Sequence, residues 1–236
     1  MTHDKPVRAD RLIVALDTAD LKQAKAWIEA SRNFAGMFKV GLEFFLAHGS
    51  AGYAAVASAG KPIFLDLKLH DIPNTVAGAV RSVLPLAPRM ITLHSSGGGA
   101  MISAARHASE MAGAARPLLL AVTVLTSLDA SALSTLGVAG GPTQQVLRLA
   151  RLALDAGADG LVCSPREVSV LRDAFGPGPA LVVPGIRPHG AARDDQARIM
   201  TPEQAVAAGA DWIVVGRPIT AASDPAAAAA AVSAAL

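Results

Sequence analysis

The stretch FLDLKLHDIPNTV, residues 64–76, holds four titratable side chains within six positions: Asp66, Lys68, His70 and Asp71. They follow an apolar run that reads as a buried strand. Charge is costly to bury unless it is paired or put to use. Asp66 and Lys68 lie two apart, so on a strand they share a face. Lys39, from another apolar run, is expected to reach Asp66, and a chain Lys39–Asp66–Lys68 keeps every charge paired. Such a chain either fixes strand register as a structural ion-pair network or presents charge to a ligand. His70 points opposite to its immediate neighbours, Leu69 and Asp71, in any extended segment and is read as structural.

Other polar residues favour the ligand reading. Asp17 closes the apolar run at 11–17, Lys39 lies late in 37–42, and Asp66 and Lys68 close 62–68. His94 closes 90–94, Thr123 and Thr126 fall at the end of 118–125, Arg187 follows 180–186, and Arg217 closes 211–217. Two Gly-containing segments, PGIRP (184–188) and VGRPI (215–219), combine backbone N–H groups with a guanidinium, a pairing suited to phosphate. Arg217 is the stronger phosphate candidate of the two arginines. Gln196 is a further amide donor in the loop that follows 180–186.

The elements that must position these residues form a repeating grammar. Including GLVCS (160–164), there are eight short apolar runs, near-continuous in hydrophobicity, as expected of strands buried on both faces. Ala-rich segments of helical period, such as 18–33 and 142–157, lie between them. DAGADGLVCS (155–164) resembles AAGADWIVVGR (207–217): helix end, glycine, strand. Eight β–α units predict a TIM (β/α)8 barrel, whose active site lies at the C-terminal ends of its strands. A doubly wound open sheet is the competing arrangement, but its G-x-G-x-x-G turn is absent after VALD. No internal linker breaks the chain, so 1–236 is expected to be a single domain. The tail reads as a last helix with Ser223 or Asp224 as cap and Pro225 in its first turn.

Composition narrows the function. Apolar residues make up 52% of 236 and charged residues 17%, which excludes a disordered chain. The formal net charge is +2, with no Lys/Arg run and only one Tyr and two Trp, so nucleic-acid binding is not expected. The lone Cys163 rules out an intrachain disulfide, and no Cys/His spacing matches a zinc site. The N-terminus has no apolar signal core, and the apolar runs are too short to span a bilayer. The expectation is a soluble, cytoplasmic protein without membrane association.

The segment DLKLHDIPNTV resembles the D-x-K-x-x-D-I-P-x-T signature of the orotidine 5′-phosphate decarboxylase family. VALD (14–17), FKVGLE (38–43), TLHSSGG (92–98), TVLTS (123–127), PGIRP and VVGRPI follow the family's order along the chain. The resemblance implies a homodimer of TIM barrels that converts orotidine 5′-monophosphate to UMP and CO2 in pyrimidine biosynthesis, with no metal or organic cofactor. It implies that Asp17 and Lys39 hold the ribose hydroxyls, that Asp66 sits beside the substrate carboxylate, and that Lys68 is the proton donor. Asp71 and Thr75 would reach into the partner subunit's site. Gln196, Gly216 and Arg217 would hold the phosphate, with Arg187 beside it. Among Thr123, Thr126 and Ser127, Thr126 is the expected contact to the base. Segment 187–200 is the expected lid.

Two other functions compete. Relatives such as 3-keto-gulonate 6-phosphate decarboxylase and hexulose-phosphate synthase share a D-x-K-x-x-D core but use Mg²⁺ and an enediolate; the I-P-N-T continuation and PGIRP favour the pyrimidine enzyme. A barrel that only binds a phosphate ligand would tolerate loss of Lys68.

Overall fold

The structure, a computed structural model, describes residues 5–188 and 200–236. Eight parallel strands close into a barrel in sequence order. They are β1 (Leu12–Ala15), β2 (Met37–Gly41), β3 (Ile63–Leu69), β4 (Met90–His94), β5 (Leu118–Val122), β6 (Gly160–Val162), β7 (Ala180–Val183) and β8 (Trp212–Val215). The seam between β1 and β8 is paired, Ile13 opposite Val214, which excludes the open sheet. The outer layer comprises α1 (Leu21–Ser31), α2 (Leu42–Ala57), α3 (Pro73–Val83), α4 (Gly99–Glu110), α5 (Ala130–Thr135), α6 (Pro142–Asp155), α7 (Val168–Phe175), α8 (Pro202–Ala207), α9 (Arg217–Thr220) and α10 (Pro225–Ala234). The tail helix has the expected cap: the Asp224 carboxylate accepts from Ala227 N, and Pro225 opens the helix. Among the described residues, no helix is long and apolar enough to cross a membrane.

Strand alternation divides the apolar side chains into two sets. Leu12, Val14, Phe38, Leu65, Ile91 and Leu119 face the helices. Ile13, Met37, Phe64, Met90, Leu118, Leu120, Val182 and Trp212 fill the barrel interior. Both faces of each strand are therefore buried, and this accounts for the near-continuous apolar runs. The interior parity then becomes polar toward the strand C-termini. Lys39 follows Met37, Asp66 follows Phe64, and Thr92 follows Met90, all of them buried. An apolar plug below and a charged layer above place the polar residues at one mouth.

The opposite end explains the repeated Gly-Ala-Asp segments. Asp159, just before β6, accepts two hydrogen bonds from the Arg116 guanidinium at 2.7 Å each, one from Arg106 at 3.1 Å and one from Leu119 N of β5 at 2.8 Å. Asp211, just before β8, accepts from Arg172 at 2.7 Å and from Leu181 N of β7 at 2.8 Å. Each aspartate thus ties the start of its strand to the neighbouring strand.

Two expectations about local structure are corrected. Arg217 does not close β8; it is the first residue of the short helix α9, after the cap residue Gly216. Nor does regular strand geometry carry through Lys68. Its φ is +50°, and the β3–β4 register slips between Leu65 and Leu69. A non-glycine residue in that region is strained.

Candidate active site

The polar strand ends surround a cavity of about 480 Å³. Asp17, Lys39, Asp66, Lys68, Thr126, Arg187, Gly216 and Arg217 all line it. Its other walls are mostly apolar, with Val122, Val124, Val162, Cys163, Pro184 and Val214 among them and Thr220 as a further hydroxyl. A larger hollow of about 900 Å³ lies outside the barrel between α4 and α6, but it is open and none of the convergent strand-end residues lines it. The candidate site is therefore the mouth, as expected for this architecture.

At its base, Lys68 Nζ donates to both oxygens of Asp66, at 2.8 and 2.9 Å. Lys39 Nζ lies 3.4 Å from Asp66 Oδ2 and donates to Asp17 Oδ1 at 2.8 Å. The expected chain Lys39–Asp66–Lys68 is present and extends to Asp17. Lys68 reaches Asp66 despite the irregular backbone, because the flexible side chain bridges what the slipped strand does not align. The electrostatics are mutually reinforcing. Burial alone would raise the Asp66 pKa, but the Lys39 and Lys68 ammonium groups and the Thr92 hydroxyl outweigh it, so the carboxyl is held below its ordinary range. Burial would lower the Lys39 pKa, and the Asp66 and Asp17 carboxylates reverse that, raising it. Both groups are therefore charged at neutral pH.

Thr92 received no role from the sequence, although it lies within the quoted TLHSSGG. It is fully buried, donates to Asp66 Oδ1 at 2.9 Å and accepts from Lys68 N at 2.8 Å. The available signal was its inward parity with Met90 and His94 on β4. His94 is half-buried, with its ring centroid 5.4 Å from that of His70. Burial, His70 and the Lys68 charge together push the His94 pKa down.

The hydroxyl candidates separate. Thr126 lines the cavity, whereas Thr123 Oγ1 donates to Val162 O at 3.1 Å, within the barrel wall. Arg187 is buried and donates to Ile186 O at 3.1 Å, while Arg217 is exposed at the rim. Gln196, and positions 189–199 of the expected lid, lie outside the described residues. Asp71 and Thr75 are exposed and do not line this chain's own cavity. Asp71 Oδ1 accepts from Ile72 N at 2.6 Å. Among the described residues, no three of His, Cys, Asp and Glu converge as a metal site.

Residues 10–232 match the family model of the orotidine 5′-phosphate decarboxylase / HUMPS family. The chain is 57% identical over 221 residues to orotidine 5′-phosphate decarboxylase of Gluconobacter oxydans (strain 621H), covering 92% of this chain and 93% of that protein. It is 54% identical to the enzyme of that name from Anaeromyxobacter sp. (strain K), covering 97% and 99%. The solved structure of orotidine 5′-phosphate decarboxylase from Lactobacillus acidophilus superposes with a TM-score of 0.83 at 37% identity, covering 98% of this chain and 99% of that one. A structure of an uncharacterized conserved protein from Geobacillus kaustophilus gives the same TM-score, 0.83, at 32% identity. With a closed barrel, a charged mouth and a match across nearly its whole length, the chain belongs to the orotidine 5′-phosphate decarboxylase / HUMPS family.

Proposed function

We propose that this protein decarboxylates orotidine 5′-monophosphate to UMP and CO2, as a cytoplasmic enzyme that needs no metal or organic cofactor. The observation that carries the reading is the Lys68 ammonium bonded to both oxygens of buried Asp66 at the edge of the mouth cavity. Loss of CO2 from C6 leaves an sp² carbanion that the ring carbonyls do not fully delocalise. A fixed ammonium facing C6 would stabilise that charge and then deliver a proton to it, with Asp66 beside the departing carboxylate. Preorganised charge of this kind is usually the largest catalytic term, with about 2.7–4 kcal/mol for one well-placed donor. Enzymes lower barriers by ~8–23 kcal/mol in total, so binding elsewhere must contribute. Arg217, Arg187 and Gly216, with Gln196 from outside the described residues, would bind the 5′-phosphate. Asp17 and Lys39 would fix the ribose and Thr126 the base, orienting C6 toward Lys68.

We also propose a homodimer in which Asp71 and Thr75 complete the partner's site. Asp71 and Thr75 are exposed in the single chain, and between them Ile72 leaves an apolar side chain 67% exposed. A chain that buries Ile72 against a second copy would carry Asp71 and Thr75 toward that copy's mouth. Mixing Lys68→Ala with Asp71→Ala subunits should regenerate some active sites in demonstrated heterodimers; no recovery would contradict this assignment.

The test of the main reading is the absorbance of orotidine 5′-monophosphate on adding purified protein in excess EDTA. The proposal expects its loss with stoichiometric UMP. Strict dependence on Mg²⁺ would point instead to the enediolate chemistry of the metal-dependent relatives, and binding without turnover to a non-catalytic barrel.

A further inference from the structure

The slip in the β3–β4 ladder has a consequence for the lysine. Leu65 pairs with Ile91 and Leu69 with Leu93, so Asp66, Leu67 and Lys68 all face the single residue Thr92. The Lys68 N–H has no place in a regular ladder there. It donates instead to Thr92 Oγ1 at 2.8 Å. The Thr92 hydroxyl in turn donates to Asp66 Oδ1 at 2.9 Å, and Asp66 Oδ1 accepts from Lys68 Nζ at 2.8 Å. Lys68 is therefore held at both ends, by its backbone N–H and by its ammonium, through one closed ring of hydrogen bonds.

Elementary chemistry fixes the direction around this ring. An amide N–H only donates and an ionised carboxylate only accepts, so the hydroxyl between them must accept from Lys68 N and give its single proton to Asp66. The hydroxyl therefore has one orientation, and hydrogen bonds aligned in series strengthen one another. A left-handed backbone at a non-glycine residue costs about 1–3 kcal/mol and persists only where its surroundings over-determine it. Thr92 is the buried group on the facing strand that satisfies both the strained amide and the carboxylate. We propose that Thr92 is a positioning residue whose hydroxyl couples Asp66 to the left-handed Lys68 backbone and so sets where the Lys68 ammonium stands.

This rests on the decarboxylase reading, and the test keeps the two apart. Thr92→Val keeps the shape and removes both hydrogen bonds; Thr92→Ser keeps the hydroxyl. For orotidine 5′-monophosphate, kcat of Thr92→Val should fall ~10–100-fold, the range set by losing a hydrogen bond to a charged group. KM and UMP affinity should stay within about 3-fold, because the phosphate and ribose contacts are untouched, and Thr92→Ser should stay within about 3-fold of wild type throughout. If Thr92→Val does not fold, Thr92→Ala takes its place in the same comparison. Wild-type kcat in a folded variant without the hydroxyl overturns the proposal, as does equal loss in Thr92→Ser. So does failure of both Val and Ala variants to fold, which would make the role structural. An inactive wild-type protein would overturn the decarboxylase reading and this inference together, whereas an active wild type with an unimpaired Thr92→Val would overturn this inference alone.

Discussion

The two ends of the barrel use the same ingredients differently. At each end a poorly exposed aspartate sits between cations: Asp66 between Lys39 and Lys68 at the mouth, Asp159 between Arg116 and Arg106 at the base. Both carboxyls are held below the ordinary carboxylate range, because in each the nearby cations and hydrogen bonds outweigh a burial effect that would raise it. The partners differ. Asp159 bonds the backbone N–H of Leu119, and its arginines are planar forks that hold fixed geometry. Asp66 is bonded by side chains, two of them lysines, whose ammonium groups are compact charges on flexible stems. The base cluster abuts strand starts, whereas the mouth cluster lines a cavity and includes a residue with φ of +50°. A perturbed carboxylate alone therefore does not mark a functional site. Cavity, backbone strain and lysine rather than arginine partners together separate the mouth from the base.

The largest expected effect that could break this comparison is at the base. Asp159→Ala would leave Arg116, Arg106 and the Leu119 N–H without their shared acceptor. Breaking a buried pair on one side costs about 3–5 kcal/mol, and the partial exposure of Arg106 places this case near 3. For a chain of this length that is roughly a 6–12 °C fall in melting temperature. Turnover of the folded variant at 25 °C should change less than about 2-fold. A variant of unchanged melting temperature with collapsed turnover would erase the distinction between the ends.

A smaller effect sharpens the comparison through pH. A carboxyl with a depressed folded pKa gives stability that is fully present above its unfolded pKa and is lost as pH falls through the folded value. The carboxylate share of the wild-type melting temperature should therefore hold down to about pH 5 and decline below the ordinary carboxylate range near pH 4, on top of a separate loss that begins below about pH 6.5 from His94, whose pKa is lowered on folding. Asp159→Ala removes the base contribution, so its decline over that acidic range should be shallower than that of wild type, while Asp66 still contributes. Parallel acid curves for the two proteins would show that Asp159 is not held as its neighbours imply.

Much of this arrangement was legible in the sequence, for identifiable reasons. The eight strands were legible because burial on both faces leaves runs such as RLIVALD nearly free of polar residues. Lys39 and Asp66 were legible because strand parity puts them above Met37 and Phe64, facing inward. The repeat containing Asp159 and Asp211 was visible as a pattern but not as a brace, since its partners Arg116 and Arg172 lie 43 and 39 positions away. The left-handed turn at Lys68 was illegible for a related reason: it arises from register against β4, which no local propensity encodes. Thr92 is not marked out in the sequence because a threonine within a strand is an ordinary β-former; only its contacts distinguish it. Asp71 and Thr75 came from the resemblance, because their place in any site depends on a surface that a single chain does not bury.

The most direct test of the mouth's role is Lys68→Ala, with turnover of orotidine 5′-monophosphate and affinity for UMP measured on one preparation. Loss of the ammonium should lower kcat by ~10³-fold or more, at or beyond the upper range for one preorganised donor. UMP affinity should remain within about 5-fold, since the contacts proposed for phosphate, ribose and base are made by other residues of the cavity. Turnover equal to wild type, with UMP still bound, would contradict the assignment of chemistry to Lys68 and reduce the mouth cluster to a second brace.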